Sequence, residues 1–145
     1  MEEQLALIQS KLHKSETSFP ILRDQLMRCG ELRAWFKYYH GPNQWAQRYY
    51  MEEHLFLTKK NLLIACIYTS GKVTLRSFKL DEISRIERNY DFADKANDKL
   101  VLASVEIIFK RTRDKKHLDA IQIARPLPEE DGDPEGFERF MDLLD

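Results

Sequence analysis

Residues 62–68 read Leu-Leu-Ile-Ala-Cys-Ile-Tyr, an unbroken apolar run. It is short for a helix and rich in residues that suit a pleated backbone, so it predicts a strand buried on both faces. Ser70-Gly71 supplies a turn, and residues 72–80 return as the second strand of a hairpin. In that strand the apolar phase moves from Val73 and Leu75 to Phe78 and Leu80. A one-residue change of phase signals a bulge or bend, the device by which small sheets turn corners.

Upstream, Leu5, Ile8 and Leu12 recur at helical spacing among polar neighbours, which predicts an amphipathic helix over residues 2–14. So short a helix is not stable alone: its stripe must cover its own sheet, pack on a second helix, or bury itself in another chain. Ser18 and Pro20 mark the start of that second helix, Leu22, Leu26 and Cys29 share its face, and Gly30 stops it. From Glu31 the period changes. Leu32, Ala34, Phe36 and Tyr38 alternate with Arg33, Trp35, Lys37 and Tyr39 in a first strand. His40-Gly41-Pro42-Asn43 reads as a turn, and a second strand is expected over residues 47–57, with Glu52-Glu53 as a polar interruption or bulge.

Downstream, Ile83, Ile86, Tyr90 and Phe92 continue a strand, and residues 91–99 form a polar loop. Ala103, Val105, Ile107 and Phe109 then alternate with Ser104, Glu106, Ile108 and Lys110. Lys110 to Lys116 make the next turn, residues 117–125 return with Leu118, Ile121 and Ile123 inward, and Pro126 and Pro128 end the sheet. Asp133-Pro134 caps a final helix with Phe137, Phe140, Met141 and Leu144 on one face. The class is α+β, mainly β.

The segment Phe78-Lys79-Leu80-Asp81-Glu82-Ile83-Ser84-Arg85-Ile86-Glu87, with the hairpin leading into it from Glu53, resembles the signature of bacterial PH-like and GRAM-type domains. The resemblance implies a PH-like seven-stranded antiparallel barrel over residues 31–145, capped by the C-terminal helix. Residues 1–30 are then an N-terminal helical pair that a minimal domain of this kind lacks. It also implies a platform for binding rather than a scaffold with built-in chemistry. PH domains that bind phosphoinositides gather basic side chains from the first two strands and their loop. The corresponding residues 37–48 offer only Lys37 and Arg48 as permanent cations, too sparse for a strong headgroup site.

A length of 145 residues fits one core. No run approaches the roughly 20 apolar residues of a membrane span, and Met1-Glu2-Glu3-Gln4 has the wrong charge for a secretory signal, so a cytoplasmic location is expected. Cys29 and Cys66 lie among apolar residues outside any motif and read as buried reduced thiols. The net charge of −1 conceals an asymmetry: residues 126–145 carry eight acidic side chains against one arginine. Such a tail docks on its own basic surface, competes for it with an anionic partner, or serves as a solvated face.

His13, His40, His54 and His117 are scattered without metal-ligand spacing, so no metal is expected. The sequence has no nucleophile elbow, P-loop or glycine fingerprint. Carboxylate neighbours such as Glu52-Glu53 point to opposite faces of a strand. No catalytic residue and no cofactor is expected, and the chain reads as a non-catalytic interaction module. The candidate contacts with a protein partner, or with a second copy in a homo-oligomer, are Trp45 and Tyr39 at the barrel mouth and Leu5 and Ile8 on the N-terminal stripe. An alternative is peripheral binding to anionic lipid headgroups through Lys110, Arg111, Arg113, Lys115 and Lys116, an attraction that salt would weaken. Nucleic acid is not expected, because Tyr38, Tyr39, Tyr49 and Tyr50 would have to face outward near that cluster.

Overall fold

The computed structural model describes residues 2–12, 15–42, 50–93, 99–110 and 120–144, and at residues 39–42, 50 and 51 the backbone alone. The elements are α1 (Glu2–Lys11), α2 (Ser15–Cys29), β1 (Leu32–Pro42), β2 (Tyr50–Thr58), β3 (Asn61–Tyr68), β4 (Val73–Lys79), β5 (Ile83–Phe92), β6 (Leu100–Phe109), β7 (Ala120–Ala124) and α3 (Pro134–Leu143). The class is α+β and mainly sheet, with helices at both ends. The strands expected to close one barrel form two open sheets, in the orders β1-β2-β3-β4 and β5-β6-β7. No described helix is long and apolar enough to cross a membrane.

The chain divides into two compact units, Met1–Phe78 with Pro126–Asp145, and Lys79–Arg125. In the first, the pleat sorts side chains to opposite faces of the β1–β4 sheet. Leu5, Ile8, Leu12, Leu22 and Leu26 from α1 and α2 pack with Phe56, Leu63, Ala65 and Ile67 on one face. On the other, Phe36 meets Phe137 and Phe140 of α3 edge to face, at ring-centre distances of 5.8 and 5.1 Å. The apolar run in β3 agrees with its burial, which leaves only the two end residues of the strand partly exposed. The helical pair therefore belongs to the same compact unit as the first sheet.

Local signals set the boundaries. Gly30 and Gly71 both hold φ near +90°, the region that excludes most side chains, so one ends α2 and the other closes the β3–β4 hairpin. The Asp133 carboxylate accepts a hydrogen bond from the Gly136 N–H at 3.0 Å and caps α3. Gly136 is required by packing: a Cβ there would lie 2.8 Å from the Cβ of Phe36. A 3-10 turn over Leu80–Glu82 forms the polar corner before β5.

Three boundaries differ from expectation. α2 begins at Ser15, so Ser18 is not its cap but a small buried residue on the face shared with Leu22 and Leu26, and Pro20 lies inside the helix. β1 continues through His40-Gly41 to Pro42 instead of turning, which an edge strand tolerates because a proline there need not break a ladder bond. Glu52 and Glu53 stay in unbroken register with β3; the irregularity lies in β1, between Lys37 and Tyr39. In the second unit Val105, Ile107, Phe109 and Ile123 are buried, as the alternation required. The ladder skips Ala103, whose carbonyl instead accepts from the Arg125 N–H at 2.7 Å. Leu118 lies outside the described residues.

Candidate functional site

Gly132 builds the site. A Cβ at this position would come within 2.6 Å of the Pro126 Cβ and 2.9 Å of the Tyr38 carbonyl oxygen, so only glycine lets the 126–133 segment lie this close to β1. The Asp133 N–H donates to the Lys37 carbonyl at 3.0 Å and ties the segment to the strand. Asp131, in the left-handed region at φ 60°, then places its carboxylate 2.6 Å from the Lys37 ammonium. The acidic C-terminal stretch thus docks, at this point, on a basic side chain of its own unit.

Beneath that ion pair lies a polar network in the sheet. Glu52 and His54 are two residues apart on β2, share a face, and are 1% and 0% exposed. The Lys37 ammonium stands 3.8 Å from Glu52 Oε2. His54 Nε2 is 3.2 Å from Glu52 Oε1, and Trp35 Nε1 donates to His54 Nδ1 at 3.0 Å. An indole N–H only donates, so Nδ1 carries the lone pair. In the neutral ring the proton therefore sits on Nε2 and donates to the Glu52 carboxylate. Burying a carboxylate is costly unless it is paired and hydrogen-bonded, and Lys37 with His54 supplies both conditions.

Trp35 and Lys37 also line a cleft of about 460 Å³, with Leu32 of β1, Gln4, Leu7, Ile8 and Lys11 of α1, the Asp131–Asp133 turn, and Arg139 of α3. The network therefore holds two of the side chains that form the cleft wall. On the opposite face of β2, burial pushes the Glu53 carboxyl above its ordinary range, partly offset by the Arg76 guanidinium. Its ladder partner Cys66 is driven by burial, and further by Glu53, up to about 11 against the pull of Arg76. Cys66 is a buried free thiol as expected; Cys29 is free but only half-buried.

A second feature belongs to the Lys79–Arg125 unit. Phe92 pairs across the ladder with Leu100, and Tyr90 with Leu102, so these side chains share one face of the β5–β6 hairpin. Tyr90, Phe92 and Leu100 are 58%, 47% and 56% exposed, while Leu102 is buried.

Of the residues singled out in the sequence, Leu5 and Ile8 are buried inside their own unit and offer a partner no surface while α1 stays on the sheet. Tyr39 is described only in its backbone, opposite Glu53 in the β1–β2 ladder. Trp45, Arg111, Arg113, Lys115 and Lys116 lie outside the described residues. Lys110 is exposed, and its ammonium donates to the Asp81 carbonyl at 2.8 Å. Glu52, His54, Trp35 and Asp131 are not among the expected site residues: the sequence predicts Glu52 as part of a polar interruption and His54 as an isolated histidine. The available signal was the two-residue spacing of Glu52 and His54, which puts an acid and an imidazole on one face of a strand. No protein-family model, curated protein or solved structure matches this chain.

Proposed function

We propose that this chain is a non-catalytic interaction module of the PH-like, GRAM-type kind that works in the cytoplasm through protein contacts, self-association among them. The order of elements supports the reading: four antiparallel strands, a 3-10 corner, three antiparallel strands and a closing helix. In this reading the two sheets enclose a single barrel, a point that contacts between their side chains in nuclear Overhauser spectra would test. The observation that carries the binding role is the exposed apolar set Tyr90, Phe92 and Leu100. Single exposed apolar residues are ordinary, whereas a contiguous set on one face is the mark of a contact surface. β5 is also an edge strand of its sheet, with Arg85, Glu87, Arg88 and Asp91 as its charged side chains.

Light scattering over protein concentrations from about 1 μM to 1 mM tests self-association, since that range spans weak to moderate affinity. The mass of the wild-type chain is expected to rise toward that of a dimer, and Phe92→Ser/Leu100→Ser to stay monomeric. A wild-type chain that is monomeric throughout overturns self-association.

A further inference from the structure

We propose that the cleft beside Trp35 binds a small organic anion with a flat apolar body. This is a different observation from the hairpin surface and does not depend on it. The cleft volume of about 460 Å³ falls in the range of small-molecule sites, roughly 300–1,000 Å³.

Its charges determine the head group. Lys37 is matched by Asp131 and Glu52, and the Asp133 carboxylate is committed to the N-terminus of α3, where an anion is favoured. Lys11 and Arg139 remain. Among the described residues no carboxylate lies within ion-pair distance of either. Two unmatched cations lining one cleft suit an anion, and a carboxylate, sulfonate or phosphate meets them equally well.

The body is set by Trp35 with Leu7, which is half-exposed at the cleft. The indole N–H is already spent on His54, and the two rings lie side by side, with centres 6.0 Å apart and planes within 11° of each other. Trp35 is thereby held at a fixed angle and presents carbon surface to the cleft. Because His54 and Glu52 are buried, this wall is formed before any ligand arrives, which lowers the ordering cost of binding.

The test uses the full chain and two flat probes of equal size, 2-naphthoate and its neutral counterpart 2-naphthamide, followed by amide and indole N–H chemical shifts. The anion is expected to bind saturably, to shift the Trp35 indole N–H and the amides of α1 and α3, and to bind about tenfold more tightly than the amide. Lys11→Gln/Arg139→Gln is expected to abolish that preference. Both side chains are exposed, so the thermal melt of the variant should match that of the parent. The proposal is overturned if the two probes bind the wild-type chain alike, if the double variant keeps the preference, or if no shifts appear up to about 5 mM anion, an affinity too weak to define a site.

Discussion

Trp35 and His54 are joined by a 3.0 Å hydrogen bond whose direction dictates where the imidazole keeps its proton. The indole donates to Nδ1, so Nε2 carries the hydrogen and faces the Glu52 carboxylate at 3.2 Å. Nitrogen-15 spectra of His54 are expected to show a protonated Nε2 and an unprotonated Nδ1. Trp35→Phe keeps a ring but deletes the donor, and the expected loss is about 1–3 kcal/mol in urea denaturation. Lys37→Met removes the cation beside a buried carboxylate and should cost more, about 3–5 kcal/mol. Adding Glu52→Gln to Lys37→Met should recover part of that loss, and no recovery would show that the Lys37–Glu52 contact has little weight.

The N-terminal stripe is core, and its substitution should behave as core substitution does. Ile8 is fully buried whereas its neighbour Leu7 is 53% exposed. Ile8→Ala is expected to cost about 2–5 kcal/mol through lost transfer energy and the cavity left behind. Leu7→Ala should change stability by less than about 0.5 kcal/mol. Equal effects would mean that α1 does not rest on the sheet.

Gly136 tests the seat of α3 on β1. Alanine there would be favoured by helix propensity, yet its methyl group would meet the Phe36 Cβ at 2.8 Å. Overpacking should win, with Gly136→Ala destabilising by about 1–3 kcal/mol in chemical denaturation. A stabilised variant would show that α3 packs less closely than described.

The Glu53 carboxyl is raised above 4.5 in the folded chain, so the folded state holds its proton more tightly than the unfolded state. Its contribution to stability is complete below the unfolded value and is lost as pH rises through the folded one. Glu53→Gln cannot ionise and should escape that loss. The variant is expected to gain on the wild type in melting temperature as pH rises from 4 to 7, and a gap that does not widen over that interval would refute the raised value.

For Cys66 the expected observable is slow thiol chemistry. With the thiol at about 11, only about one molecule in a thousand carries the thiolate at pH 8. Labelling of the native chain should show one fast thiol, Cys29, and one slow thiol released on denaturation. Two fast thiols would mean that the sheet opens around Cys66.

Element type was legible wherever one residue's surroundings follow from its near neighbours. The period-two alternation of β1 and β6, the helical spacing of Leu5, Ile8 and Leu12, the turn at Gly71 and the cap at Asp133 are local rules, because backbone geometry and a single buried face suffice to impose them. The unbroken run in β3 even implied cover on both faces. The sequence did not say what that cover was. That α1 and α2 take one face of the sheet and that α3 meets β1 on the other depends on contacts such as Phe36 with Phe137, about 100 positions apart. The same limit hid the cleft. Lys37 and Asp131 are distant in sequence, and only the close approach of Gly132 to the Tyr38 carbonyl brings their charges within 2.6 Å. Nor did the sequence distinguish Glu52 from Glu53, two identical neighbours: the pleat turns one toward His54 and Lys37 and the other toward Cys66 and Arg76, and solvation and charge partners follow from the face each one takes.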